Sequence, residues 1–301
     1  MLVARAFEPD FLKRLDRLVL GIRRARAERS GRRTLGRVQG FGLEFENFRP
    51  YTEGDDLRFL DWNSLARHDE LVIRTFRPER EVEVTILIDT SASMGLPQGD
   101  DKLGLALALG ASLAYVAMSD NHATRLVAFG MHRGAMKLSA TAFHRRPESY
   151  AEFKRFVLRI RCAGETRLGA AAGELLQERR AKGVVIIISD FLVSPLDYEE
   201  ALGRIPAAGH EVKVVQVMGE RERSGSWPAG LYRLRDCETG QFRDAVLGAQ
   251  AAAACRARAA KLAGRLRDFC TARGISYTPA FGAARFDEII DREFPKLGLV
   301  R

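Results

Sequence analysis

Cysteine is scarce: Cys162, Cys237, Cys255 and Cys270 are the four in 301 residues, far apart, with no CxxC pair and no histidine clustered beside them. That spacing argues against a zinc module and a disulfide framework, and reads as reduced thiols in a cytosolic protein. The N-terminus, MLVARAFEPDFLKRL, lacks an uninterrupted apolar core and a small-residue cleavage site, which argues against a secretory signal. A bilayer-length apolar run is also missing. The longest uncharged stretch, LGLALALGASLAYVAM at 103–118, falls short of the roughly 18 to 20 residues a crossing needs. With Asp100, Asp101 and Lys102 just ahead of it, it predicts a helix buried on a sheet. His122, His132 and His144 share one half of the chain, but none stands at metal-ligand spacing with another. There is no internal repeat, and the alanine-rich AQAAAACRARAA is simply a strong helix former.

What is present fits a globular protein, since 46% hydrophobic residues can fill the core of one large or two ordinary domains. The net charge of +9 is concentrated in the arginine-dense stretch 13–37. Such a face can attract nucleic acid, an anionic membrane surface or an acidic protein. Phe11, Leu15, Leu18 and Ile22 recur at spacings of three and four, so the same stretch also reads as an amphipathic helix with a solvated basic face. It lacks interleaved aromatics, which leaves base stacking little support.

Residues 30–76 are poor in periodicity and punctuated by glycine and charge. From residue 83 strands and helices alternate, the pattern of an α/β fold with a mostly parallel sheet covered on both faces. Strands are predicted at 82–89, 124–130, 135–140, 183–190, 210–219 and 274–281. Helices are predicted near 102–120, 149–162, 168–182, 197–207, 249–273 and 285–294. The segment 231–248 reads as a hairpin turning at ETG. The expected division is an N-terminal helical and irregular extension over 1–81 and a sheet domain over 82–301.

The stretch VTILIDTSASMG (84–95) ends an apolar strand with Asp89, then offers Ser91 and Ser93 at alternate positions. Ligands in open α/β sheets gather outside the carboxyl ends of strands, and Asp190 closes the later strand VVIIISD at that same edge. Carboxylates and hydroxyls are hard donors suited to an octahedral Mg²⁺ shell, and alternation along a turn can aim three side chains at one point. Thr166, in the glycine-flanked loop GETRLG, is a further donor or, taken alone, a helix N-cap.

The ordered set Asp-x-Ser-x-Ser, Gly-x-Thr loop and strand-terminal Asp resembles the von Willebrand factor A fold and its metal-ion-dependent adhesion site over about residues 82 to 300. The resemblance implies a three-layer, Rossmann-like architecture with Asp89, Ser91, Ser93, Thr166 and Asp190 around Mg²⁺, or Mn²⁺ or Ca²⁺. It implies that the hydroxyls reach the metal directly, and the aspartates directly or through water. Neutral hydroxyl ligands leave unsatisfied positive charge, which favours an incoming Asp or Glu from a partner. No histidine pair or further carboxylate cluster accompanies these loops to activate water, so a binding device is expected rather than an enzyme.

Ahead of the sheet, FENFRPYTEGDDLRFLDWNSLARHDELVIRTFRPERE (45–81) carries Tyr51, Gly54, Asp55, Asp56, Arg58, Asp61, Trp62, Ala66 and Arg67. This pattern resembles the bacterial family of domain of unknown function 58. Asp55, Asp56, Arg58, Asp61 and Arg67 are expected to form charge-assisted hydrogen bonds, and Trp62 to anchor the segment on the sheet domain. The network either locks this portion in place or meets a partner. The resemblance implies an adaptor working with a MoxR-type AAA+ ATPase or its client. Many members carry two membrane-spanning helices before the motif, where this chain has its arginine-rich helix, implying a soluble version in the cytoplasm. The alternatives are nucleic-acid binding through that helix, for which support is weak, and a purely structural metal.

Overall fold

A computed structural model describes residues 2–18, 43–78, 82–132, 134–178, 181–238, 240–296 and 300. In chain order these form α1 (Leu2–Arg5), α2 (Pro9–Leu15), β1 (Leu43–Pro50), α3 (Trp62–His68), β2 (Val72–Pro78), β3 (Glu83–Asp89), α4 (Lys102–Ser119), β4 (Ala123–His132) and β5 (Ala135–Ala140). Then come α5 (Tyr150–Arg159), α6 (Leu168–Gln177), β6 (Val184–Ser189), α7 (Pro195–Ala207), β7 (Glu211–Met218), α8 (Glu220–Ser224), β8 (Gly230–Arg235), β9 (Phe242–Leu247), α9 (Ala249–Ala272) and β10 (Ser276–Phe281). Short helical turns from Ala283 to Lys296, one of them a π-helix over Ile289–Glu293, finish the described chain.

Two compact units result: residues 1–23 with 82–301, and residues 24–81. The sheet unit is the expected three-layer α/β fold, with six strands in the order β10-β7-β6-β3-β4-β5, parallel except for β5 at one edge. Val84, Ile86 and Ile88 of β3 face one cluster with α4 and α5, while Leu87 faces the other with α6 and α7. Burial on both faces explains why the middle of this strand, Ile86 to Ile88, is continuously apolar. Helix α4 carries no charge after Lys102 and is nearly all buried, as the sequence predicts. Gly110 lets it approach the sheet, because a Cβ there would lie 2.6 Å from Ile88 Cδ1.

The extension expected over 1–81 is divided instead. Phe11 and Leu15 of α2 are buried in the cluster around α4, and the Tyr150 hydroxyl donates to the Ala6 carbonyl at 3.1 Å, so these residues belong to the sheet unit. Leu18 packs partly against the same cluster, whereas Ile22 and most of the basic stretch lie outside the described residues. Arg14, at the near end of that stretch, is paired with Asp287 at 2.9 Å and with Asp291.

The other unit is not irregular: β1 and β2 pair antiparallel around α3. Its charged network keeps the expected Arg58–Asp56 pair and adds Arg49 and Arg74 as partners of Asp55 and Asp61. The Arg49 guanidinium takes Asp55 in a two-point grip, 2.6 Å from Nη1 and 2.5 Å from Nη2, and Arg74 pairs with Asp61, which also accepts from Ser64 at 3.0 Å. Arg58 folds back on Asp56 at 2.6 Å, while Arg67 makes no ion pair or side-chain hydrogen bond among the described residues. The Tyr51 amide donates to the Leu71 carbonyl at 2.9 Å. Trp62 is 63% exposed.

Candidate functional site

The site is built where the sheet's connections diverge. From β3 the chain passes through α4 to β4 on one side, and later through α6 to β6 on the other, so the connections part at the carboxyl ends of β3 and β6. Asp89 ends β3 fully buried, and Ser189 stands across from it at the end of β6.

Backbone hydrogen bonds tie the contributing loops together. The Ala92 amide donates to the Gly164 carbonyl and the Ala163 amide to the Thr90 carbonyl, both at 2.8 Å, and the Met131 amide to the Glu165 carbonyl at 3.1 Å. Gly164 makes this closeness possible: its φ is +73°, and a Cβ would lie 1.7 Å from the Met131 carbonyl oxygen. Thr90 points away, its hydroxyl donating to the Phe129 carbonyl at 2.8 Å.

Within this frame the hydroxyls converge on Asp89. Its Oδ1 accepts the Ser91 amide at 2.9 Å, and its Oδ2 accepts Ser189 Oγ at 2.6 Å and Thr166 Oγ1 at 3.3 Å. Ser91 Oγ and Ser93 Oγ lie 3.0 Å apart. Thr166 does not cap the following helix. Asp197 of α7 does so, accepting the Leu168 and Gly169 amides at 2.7 and 3.2 Å. The threonine hydroxyl is thereby left to the site.

Asp190 is the second buried carboxylate, and it is held from three sides. Lys102 Nζ donates to its Oδ2 at 2.9 Å, the Leu192 amide to its Oδ1 at 3.1 Å, and Gln216 Nε2 to its carbonyl at 3.1 Å. Gln216 is itself fixed by the Tyr277 hydroxyl at 2.7 Å. Lys102 also reaches Glu222 at 2.6 Å, forming a Glu–Lys–Asp triad. Phe191, next in the chain, adopts the left-handed region with φ +54° and is buried, a strained turn immediately beside the site.

These charges reshape one another. Burial, then the charge of Asp190, pushes the Asp89 carboxyl up to about 7. Burial alone would lower the Lys102 ammonium, but Asp190 and Glu222 outweigh it and raise it, keeping it charged. Burial raises Glu222 despite the nearby lysine. Among the described residues, no group of three or more His, Cys, Asp and Glu side chains forms a metal cluster by itself; the convergence depends on hydroxyls.

Residues 47–267 match the protein family described as Protein of unknown function DUF58. The chain belongs to the DUF58 family. Asp89, Ser91, Ser93, Thr166 and Asp190, as well as Tyr51 to Arg67, fall inside the DUF58 match. This DUF58 protein is 30% identical over 237 residues to uncharacterised proteins of Mycobacterium tuberculosis and Mycobacterium bovis, covering 75% of its own length and 73% of theirs. Among solved structures, it is similar to the conserved hypothetical protein BatB from Bacteroides thetaiotaomicron, at 18% identity and a TM-score of 0.43, over 72% of this chain and 98% of that one. It is also similar to the open form of the pilus adhesin SpaC from Lactobacillus rhamnosus GG, at 10% identity and a TM-score of 0.45, over 74% and 30%.

Sequence reasoning brings the five site residues to one edge but misses Lys102, Ser189, Gln216 and Glu222. Ser189 carries a readable signal, since it is a hydroxyl one position before a strand-terminal Asp. Lys102 carries a fainter one: it is the last charge before a long uncharged helix.

Proposed function

We propose that this DUF58 protein binds a divalent cation, foremost Mg²⁺, at a von Willebrand factor A-type adhesion site, and through it the carboxylate of a protein partner. Oxygens 2.0–2.1 Å from Mg²⁺ at adjacent octahedral positions stand about 2.9 Å apart. The reading rests on the Ser91–Ser93 oxygen separation of 3.0 Å, beside the Thr166–Asp89 contact of 3.3 Å, in a donor set composed of oxygen alone. Two buried carboxylates supply the anionic charge, and a bound cation would relieve the burial and mutual repulsion that resist ionisation of Asp89. Mn²⁺ and Ca²⁺ take the same donors.

In this reading, Ser91, Ser93 and Thr166 would hold the ion with neutral oxygens, and Asp89 and Asp190 would supply its anionic ligands, directly or through water. Lys102 and the Leu192 amide keep Asp190 oriented. The cation itself supplies the positive charge that an acidic side chain meets. On the second unit, exposed Trp62, and Arg67, which makes no ion pair among the described residues, offer partner contacts, while Asp55, Asp56, Arg58 and Asp61 shape that surface. A MoxR-type AAA+ ATPase, or its client, is the partner class we favour, and the role is then that of a non-enzymatic adaptor in the cytoplasm.

Titration calorimetry with Mn²⁺ and Mg²⁺ tests the site. One ion should bind, and Asp89→Ala and Thr166→Ala should each abolish it while far-UV circular dichroism stays unchanged. Equal binding by the wild type and both variants defeats the reading. Capture of a purified MoxR-type ATPase should then require the metal; capture that survives chelation removes the adhesion mechanism.

A further inference from the structure

Leu231, Phe242 and Val246 stand 86, 63 and 72% exposed, and they share one face of the β8–β9 ribbon. Directly opposed residues of an antiparallel pair point to the same side, and the side alternates along each strand. The register therefore sets three rows on that face: Leu231 opposite Val246, Arg233 opposite Asp244, and Arg235 opposite Phe242. The other face is turned inward, with Tyr232, Ala245 and Leu247 half-buried and the Tyr232 hydroxyl donating to the Pro228 carbonyl at 3.0 Å. A half-buried ribbon ordinarily shows polar side chains to water. This one shows water three large apolar side chains, a surface that soluble proteins keep for interaction.

Each row holds two unlike, complementary groups. Arg233 and Asp244 meet at 3.5 Å with their side chains 74 and 80% exposed, an ion pair open to water and of little worth within one chain. The guanidinium carbons of Arg233 and Arg235 lie 5.6 and 5.8 Å from the centre of the Phe242 ring, at the outer end of the cation–π range. A second copy of the same face presents the complementary member to every row. With a two-fold axis lying between the faces and running along the strands, β8 of one copy covers β9 of the other. Leu231 then meets the partner's Val246, Arg233 the partner's Asp244, and Arg235 the partner's Phe242, each contact occurring twice. An axis across the strands would instead stack Arg233 on its own copy, so charge selects the first arrangement.

We propose that the outward face of β8–β9 is a dimer interface whose occupant is a second copy of this chain, stacked face to face about an axis along the ribbon. Six residues per strand and two strands give a face about 20 Å long and about 10 Å wide. That footprint is well under the ~800 Å² per partner of a standard interface, which places the association in the micromolar rather than the nanomolar range. The interface is independent of the metal reading.

Sedimentation velocity of the full chain from about 1 to about 300 µM tests this. The wild type should pass from monomer to dimer across the series. Arg233→Asp and Asp244→Arg each stack like charges in the central row, and each should weaken self-association about tenfold. An equal mixture of the two variants should form a heterodimer, because the acidic face of one meets the basic face of the other. R233D and D244R combined in one chain should dimerise as the wild type does. Both positions are exposed, so far-UV circular dichroism should be unchanged in every variant. A wild type that stays monomeric, a dimer indifferent to R233D, or a mixture that associates no better than its components overturns the proposal.

Discussion

Lys102→Met tests the electrostatics of the site most directly, because methionine keeps much of the stem and deletes the charge. The Lys102 and Asp190 side chains are each 1% exposed and the Glu222 side chain 21%, with contacts of 2.9 and 2.6 Å. Deleting the ammonium leaves two carboxylates facing one another beside Asp89, and removing one member of a buried pair typically costs about 3–5 kcal/mol. Glu222, already raised by burial, can take up a proton and offset part of this, so we expect about 3 kcal/mol. With a urea dependence of about 3 kcal/mol per molar, the midpoint should fall by about 1 M in far-UV circular dichroism. Mg²⁺ should then narrow the gap between variant and wild type. The ion binds the variant more tightly because a positive neighbour has gone, and at a hundred times its Kd it contributes about 2.7 kcal/mol. A loss below about 1 kcal/mol, or Mg²⁺ binding that weakens in the variant, would refute the argument that Lys102 is the resident countercharge of a site with room for another cation.

Gly164→Ala should destabilise the sheet unit by about 3 kcal/mol or more, seen in thermal unfolding, because the new Cβ overlaps the Met131 carbonyl at a positive φ. Asp197→Ala should cost about 1 kcal/mol by releasing the amides at the start of α6. It should leave Mn²⁺ affinity within twofold of wild type by calorimetry, since Asp197 orients Thr166 only through the helix start. The metal-free protein should lose stability as pH rises. Asp89 sits near 7 when folded against 3.8 as a free side chain, so its contribution is fully present below about 4 and is gone above about 7. Saturating Mg²⁺ should flatten that slope, as urea midpoints between pH 5 and 8 would show; a slope indifferent to Mg²⁺ would place the ion away from Asp89.

The central strands were legible because each is either apolar throughout or bounded by glycine and charge, and β3 to β7 and β10 lie within two residues of their predicted limits. The ribbon β1–β2 was not, and a bulge between Phe45 and Asn47 explains why: the inserted residue shifts the alternation that a period of two requires. The five site residues were legible as an ordered pattern in loops after strands. Their supports were not, since Gln216 and Glu222 arrive from later elements whose spacing along the chain records nothing of their convergence. The partners of Asp55 and Asp61 in the smaller unit were not legible for a related reason. Several arginines compete for each aspartate in the sequence, and only the ribbon register decides that Arg49 and Arg74 win.

The burial of Phe11 and Leu15 beneath the sheet unit makes residues 24–81 an insertion, joined to it by chain at both ends, rather than a leading appendage. Trimming the protein back to residue 82 would therefore strip side chains from the interior it was meant to isolate. Excising residues 24–81 while retaining the first helices is the surgery that respects how the molecule is assembled.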